Sequence, residues 1–147
     1  KKNASEDNPI DYTSLILNPS FETNSFANWK NVNFVTQSNN TFARKSGTYY
    51  IEKWTSQGNK IGDASVRQVV KDLPNGKYKL VVAAQNYNQA STSQKCEGAY
   101  IFAADQQTPV YTPNDYTITF TSIAASSGPP NKVKNLAISW NTGFPGG

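Results

Sequence analysis

Short apolar-polar alternation, broken by turn residues, runs along most of this chain. Segment 49–54 puts Tyr50, Glu52 and Trp54 on one side and Tyr49, Ile51 and Lys53 on the other, because successive strand side chains point to opposite faces. Segment 77–87 is the longest alternating stretch, with Tyr78, Leu80, Val82 and Ala84 as its apolar face. Segment 116–122 repeats the pattern with Tyr116, Ile118 and Phe120, and 136–140 with Leu136, Ile138 and Trp140. Shorter candidates are 15–17, 32–36, 65–70 and 99–103. No stretch keeps a helical period over three turns. Leu73-Pro74-Asn75-Gly76 marks a reversal, since Pro presets a turn angle and Asn-Gly accepts positive φ. The polar stretches 88–98 and 124–132 read as loops. Short strands spaced by turns predict an all-β chain, folded as an antiparallel β-sandwich.

Composition adds boundaries and exclusions. The 147 residues suit one domain. Residues 1–14 are polar, carry Pro9, and read as a flexible leader or linker; the sandwich then spans 15–147. The chain has no His and one Cys. That excludes His-dependent catalytic triads, the usual zinc sites and an intrachain disulfide. Cys96 reads as a partly buried thiol ahead of the 99–103 strand. The net charge of +4 is scattered, not gathered into the basic stripe that nucleic acid requires. No apolar run approaches the roughly 18 residues of a membrane span. No Gly-rich phosphate loop is present. Only 16% of residues are charged, whereas aromatics are abundant: 3 Trp, 8 Tyr and 7 Phe.

Three segments, in order, carry a family resemblance. They are Leu17-Asn18-Pro19-Ser20-Phe21-Glu22 followed by Trp29; Tyr50-Ile51-Glu52-Lys53-Trp54; and Ser65-Val66-Arg67-Gln68-Val69-Val70 leading into Leu73-Pro74-Asn75-Gly76-Lys77-Tyr78-Lys79-Leu80. Their order and spacing resemble the galactose-binding-like carbohydrate-binding modules of secreted, Bacteroidetes-type polysaccharide-degrading enzymes. The resemblance covers residues 15–140. It implies a jelly roll, a secreted or cell-surface bacterial location, and noncatalytic attachment to plant-type polysaccharide or oligosaccharide. It also implies a catalytic domain elsewhere in the parent chain. Family members close with a strand bearing Trp and an Asp-Asn-Phe-type motif, which the segment 143–147 lacks. In similar modules the Glu of the first segment ligates a structural calcium with a C-terminal Asp. Glu22 then has two readings, calcium ligand or capping carboxylate.

On this reading the candidate carbohydrate-binding residues are Tyr50, Glu52, Trp54, Gln68, Gln85 and Tyr87. An aromatic ring stacks on the C–H face of a sugar, and amides or carboxylates take its hydroxyls. A carboxylate between two large aromatics is costly inside a core, so the Tyr50-Glu52-Trp54 side is expected to be open. In the opposing arrangement Trp54 packs under a loop. Gln85 and Tyr87 lie out of phase with Leu80, Val82 and Ala84, and Gln68 is expected to share their outer face. Trp140 defaults to core; Tyr100 and Phe102 are open to either role. Two other functions compete. One is a structural β-sandwich spacer in a glycan-degrading enzyme, with no ligand. The other is a small glycosidase or lyase using paired carboxylates, although most of the 10 acidic residues fall in the leader, turns or loops.

Overall fold

A computed structural model describes residues 4–38, 46–56, 58–86 and 96–122, and the backbone of 133–140. Among these residues the chain is all-β apart from a 3₁₀ turn at Thr13–Leu15. The strands are β1 (Lys30–Val32), β2 (Val35–Gln37), β3 (Tyr50–Glu52), β4 (Ala64–Lys71), β5 (Gly76–Ala84), β6 (Ala99–Ala103), β7 (Gln106–Pro109), β8 (Asn114–Ser122) and β9 (Val133–Trp140). A five-stranded sheet runs β1-β4-β9-β6-β7, and β2-β3 and β5-β8 form two further pairs. Every pairing is antiparallel.

Strict alternation builds the main core. Along β4, Ala64, Val66, Gln68 and Val70 are buried, whereas Arg67, Val69 and Lys71 are exposed. Ala99, Ile101 and Ala103 do the same on β6, and Ile118 and Phe120 on β8. Val70, Leu73, Ala99, Ile101, Ala103, Val110, Ile118 and Phe120 form one apolar cluster. This cluster packs the β5-β8 pair against the five-stranded sheet. Tyr78, Leu80, Val82 and Ala84 face it as the alternation predicts, but half-buried rather than enclosed. Full burial of a side chain such as Ile101 is worth about 1.5–3 kcal/mol. The Leu73-Pro74-Asn75-Gly76 reversal joins strands that do not pair with each other. It hands the chain from the five-stranded sheet to β5-β8, and the Tyr78 hydroxyl donates to the Pro74 carbonyl at 2.7 Å.

The expected strand 32–36 is split in two. Asn33 adopts a left-handed conformation with φ 66°, which Asn tolerates better than most residues. The Asn31 amide spans the kink, donating to the Phe34 carbonyl and accepting from its N–H. The kink drops Phe34 into a second cluster with Phe21, Ala64 and Val66, lined by Phe26, Trp29 and Ile51. The apolar run 15–17 forms no strand, being partly in the 3₁₀ turn. Tyr12, Leu15 and Ile16 pack on the main cluster, and the Tyr12 ring meets Tyr78 edge-on at 5.9 Å. Docking thus begins three residues before the expected boundary at 15. The loop 124–132, most of 88–98, the closing segment 143–147 and the side chain of Trp140 lie outside the described residues. No helix among the described residues is long and apolar enough to cross a membrane.

Candidate functional site

The β2-β3 hairpin sits above the second cluster. Ile51 packs into that cluster, so its strand neighbours Tyr50 and Glu52 take the opposite face. Gln37 stands across from Tyr50, and Val35 across from Glu52. Gln37 Nε2 donates diagonally to Glu52 Oε1 at 3.2 Å, while Gln37 Oε1 accepts from the Ser38 N–H at 2.9 Å. Tyr50 and Glu52 are half-buried. Burial, and then the neighbouring Glu52 carboxylate, push the Tyr50 phenol up to about 12. Beyond the strand end Trp54 is 57% exposed, and Val35 is 48% exposed. A carboxylate is thereby set beside a tyrosine, an amide and a valine, and an open indole follows two residues past the strand.

The first motif positions this face. Asn18 organises its loop: Nδ2 donates to the carbonyls of Ser25 and Ala27, Oδ1 accepts from Thr23, and its carbonyl accepts from Trp29 Nε1 at 2.8 Å. Phe21 is buried, with its ring centroid 5.1 Å from that of Trp29. Glu22 then reaches across to the chain entering β3. Its carboxylate accepts the N–H of Thr48 at 3.0 Å and that of Tyr49 at 2.9 Å. Gly47 has φ 64°, and a Cβ there would collide with Glu22 Oε1. The carboxylate and the glycine therefore clamp the residues immediately before Tyr50.

This geometry bears on the calcium expectation. Calcium takes roughly six to eight oxygen ligands. Both Glu22 oxygens face N–H donors, and no three His, Cys, Asp or Glu side chains gather among the described residues. The capping reading of Glu22 accounts for the contacts described above, and the melting temperature with and without calcium separates it from the ligand reading.

The other expected site residues separate. Gln68 is turned inward beside Val66 and Val70 rather than outward. Its Oε1 accepts from the Leu17 N–H and its Nε2 donates to the Leu17 carbonyl, both at 2.8 Å. These two hydrogen bonds to Leu17 spend the amide on holding the first loop against β4. Gln85 is half-buried just beyond the end of β5, a strand that pairs with β8 and not with the hairpin. Tyr87 lies outside the described residues. Tyr100 and Phe102 are half-buried, with ring centroids 6.1 Å apart. Gln37 and Val35 were missed in the sequence because their place opposite Tyr50 and Glu52 depends on strand register. Comparison with known proteins finds no matching family model, curated protein or solved structure.

Proposed function

We propose that the chain is a noncatalytic carbohydrate-binding module, a jelly-roll relative of the galactose-binding-like kind, secreted or surface-borne beside a catalytic domain. The observation that carries this reading is the exposure of Trp54, two residues past the end of β3, whose Tyr50 and Glu52 stand on the strand side opposite Ile51. An indole left in water is an apolar plane without a partner, and a sugar ring supplies one. In this reading the Glu52 carboxylate serves as an acceptor for sugar hydroxyls. Gln68 drops out of the ligand set, and Tyr50, Glu52 and Trp54 remain, joined by Gln37. The competing spacer function expects Trp54 to be covered, and its exposure favours binding. A screen of the chain against immobilised plant polysaccharides tests the proposal. Retention on at least one polymer, lost on Trp54→Ala, is expected; no retention on any polymer makes the spacer the better account.

A further inference from the structure

We propose a second ligand site, on the outer face of the five-stranded sheet, that takes a uronate-bearing glycan; that the polyanion is a glycan rests on the carbohydrate reading of the chain. Register builds the site. Directly paired residues of an antiparallel sheet share a face, and Lys30 on β1 pairs with Arg67 on β4. Both are exposed, whereas the β4 neighbours of Arg67, Val66 and Gln68, are buried on the inner side. On its other side Arg67 pairs with Ala137 of β9, and Ala137 pairs with Phe102 of β6. Lys30, Arg67, Ala137 and Phe102 therefore form one row across the sheet. Arg67 and Phe102 are two strand spacings apart, about 10 Å. Phe102 and Tyr100 take the outer face because Ala99, Ile101 and Ala103 are buried inward. Their rings are half-buried, with centroids 6.1 Å apart.

The two cations are set against each other. Directly opposed residues have Cβ atoms about 4.5–5.5 Å apart, and like charges there are destabilising. All 10 Asp and Glu residues of the chain fall within the described segments. None lies on β1, β4, β9, β6 or β7, and among the described residues no ion pair reaches Lys30 or Arg67. No acidic side chain of the protein relieves the pair, and a ligand anion does so instead. The Arg67 guanidinium offers parallel N–H donors that match a carboxylate, and Lys30 adds a compact charge. A uronate carries its carboxylate on the rim of the sugar. A neighbouring sugar along the row lays its C–H face on Phe102 while that carboxylate meets the cations.

The test is affinity electrophoresis against polygalacturonate and its carboxyl-reduced neutral counterpart, with calorimetry on a galacturonate oligomer. The parent is expected to bind the acidic polymer more tightly than the neutral one, by a margin that narrows with added salt. Lys30→Gln and Arg67→Gln should each weaken acidic binding on the order of tenfold. Phe102→Leu, which keeps apolar bulk but removes the plane, should weaken it about fivefold. The melting temperatures of Lys30→Gln and Arg67→Gln should equal or exceed the parent's, since each removes one of two opposed like charges. Lys79→Gln makes the same charge change on the exposed side of β5 and should leave binding within about twofold. Acidic binding unchanged by Lys30→Gln and Arg67→Gln but lost on Trp54→Ala would overturn this face and leave the hairpin site standing. Single-stranded DNA of equal charge bound more tightly than the galacturonate oligomer would overturn the glycan as occupant. Binding to neither polymer would overturn this site and the carbohydrate reading with it.

Discussion

Phe21 holds a left-handed backbone at φ 59°, an unusual conformation for a bulky residue that costs on the order of 1–3 kcal/mol. Burial of its ring against Trp29 and Phe26 offsets that cost, and the strained turn aims the next residue, Glu22, at Thr48 and Tyr49. Glu22→Ala removes a charged acceptor from two backbone N–H groups. It should lower unfolding free energy by about 1–3 kcal/mol in a urea titration, and the melting temperature of the parent should be the same in calcium and in chelator. A calcium-dependent rise in melting temperature would restore the metal reading of Glu22. Tyr50 gives a second test at this scale. Its phenol is held up to about 12, whereas an unfolded tyrosine ionises near about 10. The folded pKa is raised, so the stabilisation from a neutral Tyr50 is complete below about pH 10 and is lost as pH rises through 12. Phenolate absorbance, with Tyr50→Phe as the difference control, should show Tyr50 ionising about pH 12. Glu52→Gln should move that titration down, because the carboxylate is one of its causes. A Tyr50 that ionises like free tyrosine would mean that its phenol is neither buried nor beside Glu52.

Among the elements, β5 and β8 were legible from alternation, and β4 and β6 only as short candidates whose inner faces were left open; Ile101, not Tyr100 and Phe102, faces inward on β6. Burial of one face writes a period of two directly into the side chains, and β6 falls on the expected 99–103. The hydrophobic pattern was weak where polar contacts do the shaping. β7 carries Gln106, Gln107 and Thr108 and has no apolar face to announce it; it forms because Ala104, at φ 55°, turns the chain back onto β6. The Asn33 kink was hidden for a like reason, since two asparagine side chains, not an apolar period, hold it. Gln68 was misplaced because its type suggested an outer face, whereas its phase with Val66 and Val70 indicated the inner one. Phase was the better guide: a buried amide is tolerated when its donor and acceptor are both satisfied. Two substitutions check the faces. Ile101→Ala, fully buried on β6, should cost about 2–5 kcal/mol. Val81→Ala, on the exposed side of β5, should cost less than about 0.5 kcal/mol. Equal costs in denaturant titrations would mean the core faces are assigned wrongly.

At the scale of the molecule, two apolar clusters among the described residues divide the labour. The larger one holds the β5-β8 pair on the five-stranded sheet. The smaller one, with the loop organised by Asn18 and clamped by Glu22, seats the β2-β3 hairpin and its outward face. Tyr50, Glu52 and Trp54 could be picked out in sequence because a carboxylate alternating with large aromatics conflicts with burial. That the face also includes Gln37 emerged only from the three-dimensional pairing. Because Trp54 projects into solvent, a change there should leave the clusters intact and separate binding from folding. The most direct measurement is calorimetric titration of the parent and Trp54→Ala with the best glycan from the polysaccharide screen, alongside their melting temperatures. Affinity should fall by about 1–3 kcal/mol, roughly five- to hundredfold, with melting unchanged within about 2 °C. Equal affinity of the two proteins, both folded, would contradict a carbohydrate site at Trp54.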